Sequence, residues 1–116
     1  MLVGPNTGLG HTSIVIMIEA QVRYLMDALR QMRVRGIAAI EPRREVQESY
    51  TRRMQRELAG TVWNTGGCRS WYLDERGRNT TLWPTFTFSF RRELERCDLS
   101  MYVAHPRVGP RRTVAA

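Results

Sequence analysis

The feature that most constrains this fold is a long amphipathic stretch near the start of the chain. Apolar residues recur there at spacings of three and four, as they do along one side of an α-helix; they are Ile14, Ile18, Val22, Leu25, Leu29 and Met32. Thr12 or Ser13 is a suitable N-cap and Gly36 a suitable terminator, so the sequence predicts one helix from about residue 13 to residue 35. Its apolar side requires a partner that covers it.

A glycine-rich stretch precedes this helix. Residues 1–3 form a short apolar stub, and residues 4–11 are mostly turn formers, which indicates a strand end entering a tight turn. Such a turn before a helix presents free backbone N–H groups and the positive end of the helix dipole, which suit an anionic or electron-rich ligand atom. A plain strand–turn–helix connection explains the same residues, so both interpretations stay open.

A second helix is predicted from Pro42 to about Leu58, because proline is tolerated in the first turn and apolar residues then repeat at every fourth position. Those residues are Val46, Tyr50, Met54 and Leu58, and Gly60 follows as the terminator. Beyond Gly60 the chain becomes rich in loops and aromatic residues, with residues 71–74 and 80–83 as the candidate strands of a hairpin. Residues 86–90 alternate as in an edge strand, whereas residues 91–96 favour a helix.

The composition excludes several functional classes. The net charge is +7, but all 18 strongly basic residues are arginines and acids are interleaved among them. Arginine in place of lysine is typical of a GC-rich genome, and the interleaving is typical of solvated helix faces, so no nucleic-acid partner is predicted. Because no run of about 18 apolar residues and no signal-peptide pattern occurs, we expect a cytoplasmic protein without a membrane span.

Motifs of reactive or metal-binding chemistry are missing. Cys68 and Cys97 have no CxxC spacing and no neighbouring histidine cluster, so both are predicted to be free thiols. His11 and His105 lie far apart in sequence. The motif HExxH, the Walker loop and the dinucleotide fingerprint GxGxxG do not occur. The sequence therefore predicts neither a metal site nor a catalytic residue.

Several short motifs together resemble a known family. The run GPNTGLGHTS at residues 4–13, followed by EAQVRYL at residues 19–25, is similar to the segment that opens the last long helix in flavin-containing and Baeyer-Villiger monooxygenases. The second half is similar to the C-terminal signature of actinobacterial members in the runs TVW at 61–63, GCRSWY at 67–72, GRNT at 77–80 and LWP at 82–84. The similarity spans roughly residues 1–103.

The resemblance implies an α+β fragment that is the remnant of a flavoprotein with two dinucleotide-binding domains. Residues 1–36 would then end the FAD-binding domain, residues 37–105 would form the C-terminal monooxygenase segment, and residues 106–116 would be a disordered tail. Both dinucleotide fingerprints of the family are missing from this sequence. The missing N-terminal portion of such an enzyme is therefore one expected partner.

The resemblance also implies where the cofactors lie. The turn would lie near the isoalloxazine ring of FAD, with the helix N-terminus facing its pyrimidine edge, where the dipole would stabilise the reduced flavin. The residues given this role, acting mainly through their backbones, are Asn6, Thr7, Gly8, Leu9 and Gly10. Ser70 and Trp71 match the loop whose tryptophan lies against NADP(H) in the family, so Trp71 is the candidate contact, with an indole N–H and a flat face. Tryptophans at 63, 71 and 83 are also typical of core or interface packing.

The implied function is FAD- and NADPH-dependent oxygenation. NADPH would reduce FAD, oxygen would add to give a peroxyflavin, and that species would oxidise an organic ketone or a sulfide. Because both fingerprints are missing, we expect weak or absent cofactor binding and no activity from this chain alone. The alternative is a small partner-binding or self-associating module without enzymatic activity, since an uncovered side at Ile14, Ile18 and Val22 favours association.

Overall fold

Within residues 2–8, 13–65 and 71–107, which this computed structural model describes, the chain is a small α+β arrangement of four α-helices and one two-stranded sheet. The elements follow in the order α1 (Ile14–Val34), β1 (Ile37–Pro42), α2 (Arg44–Ala59), α3 (Val62–Thr65), α4 (Thr87–Glu93), a 3₁₀ turn (Leu99–Met101) and β2 (Tyr102–Pro106). The predicted α+β class is thus confirmed. Among these residues, no helix combines the length and apolar character needed to cross a membrane.

The predicted long helix is confirmed as α1, with Ser13 at its N-cap and Gly36 just beyond its end. However, the side of α1 that packs against this chain carries the buried residues Met17, Ala20 and Ala28. The apolar side picked out by the sequence pattern stays largely exposed, and the exposed fractions are 38% for Ile14, 39% for Val22, 50% for Leu25 and 49% for Leu29. At about 100° per residue, the two sides point roughly 120° apart. Helix α1 therefore has two apolar sides, of which this chain covers one.

The core consists of two clusters along the covered side of α1. One cluster joins α1 to α2, α4 and the segment before α4 through Met17, Ala20, Met54, Trp83 and Phe90. The other joins the C-terminal half of α1 to the end of the chain through Ala28, Cys97 and Leu99, with Tyr24, Ile37, Ile40 and Tyr102 packed around it. Burial of each large apolar side chain contributes about 1.5–3 kcal/mol. Cys97 is a buried free thiol, as predicted, whereas Cys68 lies outside the described residues.

The start of the second helix was predicted wrongly. Pro42 is the last residue of β1, and α2 begins at Arg44 and ends at Ala59, with Gly60 at its C-cap as expected. Strand β1 pairs antiparallel with β2, which lies near the other end of the chain. A pairing between segments so remote in sequence leaves no local pattern, so proline after a short apolar run looked like a helix start.

The predicted hairpin is present only in part. Leu73 and Asn79 form a single antiparallel bridge, and the Asp74 N–H donates to the Arg78 carbonyl at 2.9 Å. Leu82, in the second predicted strand, instead makes a parallel bridge to Gly8. The loop therefore closes on itself only near Leu73 and Asn79, and the residues that follow pair with the glycine-rich turn.

The edge-strand alternative for residues 86–90 is wrong, because residues 87–93 form α4. Phe90 is buried and its ring meets that of Trp83 edge-on at 5.0 Å, whereas Phe86 and Phe88 are exposed. Helical spacing brings Phe90 onto the core, and a strand would have put all three rings on one face. The helix favoured for residues 91–96 is present only at residues 91–93, where α4 ends.

Two residues of the predicted tail are described. Pro106 pairs with Ile37 at the end of β2, and the Arg107 N–H donates to the Gly36 carbonyl at 2.8 Å. Residues 108–116 lie outside the described part of the chain. The disordered tail stays a prediction for those residues.

Candidate cofactor-facing site

Asn6 fixes the shape of the glycine-rich turn. Its backbone has a left-handed φ of 55°, which asparagine tolerates better than most residues. The side-chain amide donates to the carbonyls of Asn79 and Leu82, each at 3.0 Å, and the backbone N–H donates to the Thr80 carbonyl at 2.9 Å. Asn6 is only 8% exposed, so these bonds form in a dry environment where an unpaired amide would be costly. The asparagine thus serves the turn itself.

Gly8 is also bonded to the segment at residues 79–83. Its N–H donates to the Thr81 carbonyl at 2.8 Å, and its carbonyl accepts from the Trp83 N–H at 2.9 Å. A Cβ atom on residue 8 would lie 2.9 Å from the Thr81 carbonyl oxygen, closer than a methyl group can approach. Glycine is therefore required at this position by close approach of two backbones.

Asn79 is the centre of this attachment, and the sequence analysis missed its role. It is fully buried, and its side-chain oxygen accepts from the N–H groups of Thr81 at 3.2 Å and Leu82 at 3.0 Å. Its amide group donates to the Asn64 side chain at 3.2 Å, and its carbonyl accepts from Gln55 at 2.9 Å. The only local sign of this role was an asparagine that follows a turn, and asparagines at such positions are common on protein surfaces. We use the name asparagine hub for Asn6 and Asn79 together with the partners of Asn79, which are Asn64, Gln55, Thr81 and Leu82.

The three tryptophans have different environments. Trp83 is buried against Phe90, and Trp63 meets Tyr72 edge-on at 5.6 Å. Trp71, by contrast, is 99% exposed. A fully exposed indole gains nothing from this chain's core, so packing within the described residues does not explain it.

The structure brings the turn and the tryptophan loop to one segment. The Thr80 N–H donates to the Tyr72 carbonyl at 3.3 Å, while the Thr80 carbonyl accepts from the Asn6 N–H at 2.9 Å. Residues 79–83 thus hold the turn on one edge and the loop that starts at Trp71 on the other. Leu9, Gly10 and Ser70, also predicted to contact cofactors, lie outside the described residues.

The backbone groups at this site fit an electron-rich ligand. Ser13 makes no side-chain cap hydrogen bond, and the first N–H groups of α1, at Ile14 and Val15, have no partner among the described residues. Free N–H groups at the start of a 21-residue helix carry the positive end of its dipole. The Thr7 side chain is not available in the same way, because its hydroxyl donates to the Gly4 carbonyl at 2.5 Å. The N–H groups of Asn6 and Gly8, which were predicted to face the flavin, already donate to the carbonyls of Thr80 and Thr81, so Ile14 and Val15 at the start of α1 offer the donors that have no partner among the described residues.

Titratable groups near the site support its structure. The Asp74 carboxylate accepts from the N–H groups of Arg76 and Arg78, each at 2.9 Å, and from the Arg78 side chain at 2.8 Å. These bonds, that of the Arg78 N–H above all, hold the pKa of Asp74 below its ordinary value. The carboxylate therefore stays ionised and fixes the bend of the loop. In the described part of the chain, no three His, Cys, Asp or Glu side chains are grouped closely enough to hold a metal ion.

Comparison with known proteins identifies relatives of much greater length. The chain is 53% identical over 102 residues to a Baeyer-Villiger monooxygenase of Streptomyces coelicolor, and 51% identical over 102 residues to one of Pseudomonas aeruginosa. It is 40% identical over 98 residues to the FAD-binding monooxygenase ktnD of Aspergillus niger. These matches cover 87%, 87% and 81% of this chain, but 20%, 19% and 16% of the relatives. The chain thus spans about a fifth of their length. No family model and no solved structure matches it.

Proposed function

We propose, because this chain belongs to the Baeyer-Villiger monooxygenase family, that its glycine-rich turn and its Trp71 loop are the part of such an enzyme that contacts FAD and NADP(H). One observation carries the proposal. Residues 79–83 hold the turn on one edge and the Trp71 loop on the other, and Trp71 is 99% exposed. Two cofactors that meet at a reaction centre need the elements that contact them to be held by one rigid support. Residues 79–83 would be that support for the turn and the Trp71 loop.

The turn and the start of α1 would face the flavin ring. Bound flavin supplies the redox chemistry, in which one oxygen atom is transferred to a ketone or a sulfide. The chain's own contribution is electrostatic, because the α1 dipole and the N–H groups of Ile14 and Val15, which have no partner among the described residues, favour the negative charge of a reduced flavin. The asparagine hub keeps the backbone in place for this role without presenting a side-chain charge.

Trp71 would face NADP(H). Its indole offers one N–H donor and a flat apolar face, which suit a carboxamide oxygen and a nicotinamide ring respectively. Because Tyr72 is held by Thr80, the backbone beneath Trp71 is anchored even though the indole is exposed. The indole would then be covered only when the cofactor binds.

A chimera tests this function. The matching segment of the Streptomyces coelicolor relative is replaced by residues 2–107, and NADPH oxidation and oxygen consumption are measured with bound FAD. We expect an active chimera in which Trp71→Ala raises the KM for NADPH by about tenfold, as expected for loss of about 1.4 kcal/mol of binding. Tyr50→Ala, on α2, is the matched aromatic control and should leave that KM unchanged. A chimera that holds flavin but is indifferent to Trp71→Ala would contradict the role of Trp71.

We propose that the 116-residue chain by itself binds FAD weakly and is not an active monooxygenase. No GxGxxG run occurs in its sequence, so the helix N-terminus that normally binds the FAD pyrophosphate is not supplied by these residues. Absorbance between about 300 and 500 nm, where oxidised flavin has two bands, checks this for the purified protein. Flavin retained through gel filtration would contradict weak binding.

A partner-binding function is the second candidate, and the uncovered side of α1 favours it. Leu25 and Leu29 are about half exposed, and Ile14, Val22 and Met26 extend the same apolar surface. A second copy of the chain, or the remaining portion of a monooxygenase, would remove this surface from water. Light scattering on the wild type and on Leu25→Glu/Leu29→Glu tests it. A wild type that stays monomeric at high concentration would count against self-association.

A further inference from the structure

A cleft of about 300 Å³ opens between the middle of α1 and α4. Its lining includes no residue of the turn, of the asparagine hub or of the Trp71 loop. Its lining combines three arginines with one acid and three apolar residues: Ala20, Arg23, Phe88, Arg91, Arg92, Leu94 and Glu95.

The positive charge in this cleft is not neutralised by ion pairs. In the ranges described, none of the guanidinium groups of Arg23, Arg91 and Arg92 lies within 4.0 Å of a carboxylate. The nearest acid along α4, Glu93, is engaged elsewhere, because it makes a bidentate pair with Arg53 of α2 at 2.6 and 2.7 Å. Three arginines against the single acid Glu95 leave the lining of the cleft with an excess of positive charge, which an anion between the guanidinium groups would offset.

A second basic cavity adds to the positive electrostatic potential around the cleft. It lies further along α1 and is lined by Asp27, Arg30, Arg35 and Arg96, among other residues. The carboxylate of its one acid, Asp27, already accepts hydrogen bonds from the Cys97 N–H and the Gln31 side chain, each at 2.9 Å. Six arginines and only two acids line the two cavities together. Such a field draws anions toward the cleft.

The walls of the cleft also offer apolar contact. Ala20 is buried at its base, and Phe88 is 70% exposed beside the arginines. The Phe88 ring stacks on Phe86 with centroids 5.4 Å apart and planes 10° apart, so its orientation is supported from one side. A ligand with an oxyanion and a flat apolar body would use both the guanidinium groups and this ring.

We propose that this cleft is a binding site for a small organic phosphate, with the phosphate on Arg23, Arg91 and Arg92 and the apolar body against Phe88. Phosphate is favoured over carboxylate because its oxygens outnumber those of a carboxylate and match several guanidinium forks at once. The site does not depend on flavin binding, and it requires none of the residues assigned to the cofactors.

Calorimetric titration of the full 116-residue chain tests the proposal. The probes are phenyl phosphate and inorganic phosphate at constant ionic strength. We expect one-to-one binding of both, with phenyl phosphate binding more tightly in the wild type but not in Phe88→Ala. The pair Arg23→Gln/Arg91→Gln should weaken phenyl phosphate by at least about tenfold, which corresponds to about 1.4 kcal/mol.

The matched control is Arg56→Gln/Arg76→Gln, which has the same net charge and removes two exposed arginines outside the cleft. It should leave the affinity within about twofold of the wild type. Equal weakening by both pairs would mean that net charge alone attracts anions, as it would a nucleic acid, and would overturn the site. Absence of binding by the folded wild type would overturn it as well. If the cleft pair unfolds, Arg91→Lys supplies the test, since it keeps the charge but loses the fork and should still weaken binding.

Discussion

The two ends of α1 are stabilised by different interactions. At the N-terminal end, the turn at residues 4–8 is held by the asparagine hub, with side-chain amides bonded to backbone groups and little regular structure. At the C-terminal end, β1 and β2 form an antiparallel ladder with one irregularity between Ile37 and Ala39, and its residues Ile40 and Tyr102 pack with Tyr24 against the core. The N-terminal end therefore depends on side-chain amides, whereas the C-terminal end is closed by backbone pairing. In the proposed function, the amides would keep backbone groups in place for a ligand.

The largest effect is expected at Asn79. Asn79→Ala leaves the part-buried N–H of Thr81 and the buried N–H of Leu82 without their acceptor, so the free energy of unfolding should fall by about 2–4 kcal/mol. Urea unfolding followed by circular dichroism measures it. Asn64→Ala, which removes one partner of the same amide, should cost clearly less. Equal losses from the two variants would break the view that the hub is centred on Asn79.

Gly8→Ala tests the close approach of the turn to residues 81–83. The added methyl group meets the Thr81 carbonyl oxygen at 2.9 Å, a backbone atom that cannot rotate away, so we expect a loss of about 1–3 kcal/mol in thermal or urea unfolding. Gly60→Ala is the matched control, because a Cβ atom there meets nothing within 4 Å. It should change stability by less than about 1 kcal/mol, in the stabilising direction. A harmless Gly8→Ala would contradict the described contact.

Tyr24→Phe tests the opposite end of α1. The hydroxyl groups of Tyr24 and Tyr102 are 2.7 Å apart, and losing this bond should cost about 1 kcal/mol near pH 7. Burial, and then the bond to Tyr102, raises the pKa of Tyr24 above its ordinary value. The contribution is therefore fully present below the unfolded pKa of about 10 and is lost as pH rises through the folded value. Urea unfolding from neutral to alkaline pH should show that the difference in unfolding free energy between wild type and variant becomes smaller. A difference that stays constant would argue against this bond.

The smallest effect is expected at Asp27, which bridges α1 to Cys97. Bonds from the Cys97 N–H and then Gln31 hold the pKa of Asp27 below its ordinary value. Its contribution is therefore present above the unfolded pKa and is lost as pH falls through the folded value. The free energies of unfolding of the wild type and Asp27→Asn, measured in urea, should differ at neutral pH and become equal in acid. A difference that grows on acidification would contradict the assigned bonds.

Local pattern was enough to predict part of this fold. The bounds of α1 follow from apolar spacing, an N-cap and Gly36, all of which act within a few residues. Strands β1 and β2 were missed because their pairing joins distant segments. The covered side of α1 was missed because it relies on Met17 and small alanines, whereas the pattern emphasised the larger residues of the exposed side.

The candidate site was predicted less completely than the fold. Asn6, Gly8 and Trp71 were identified through family resemblance, and their attachment to one segment became visible only in the structure. The sequence marked Asn79 only as an asparagine after a turn within the GRNT run, and its buried position could not be predicted because a buried and a surface asparagine look alike until their tertiary partners are known. The domain boundary at residue 36 and all the assigned cofactor contacts, including those of Leu9, Gly10 and Ser70, stay predictions.

The central claim, that the turn and the Trp71 loop face cofactors, is tested most directly by residue-resolved NMR of the ¹⁵N-labelled chain. Riboflavin is the first probe, because it carries the flavin ring but no phosphate that would bind the arginine cleft. Titration to its solubility limit, followed by NADP⁺, should shift the amide signals of Thr7, Gly8 and Ile14 and the indole signal of Trp71, and leave those of β1 and β2 in place. Shifts confined to the β1–β2 end, or no shifts with either probe, would contradict the claim.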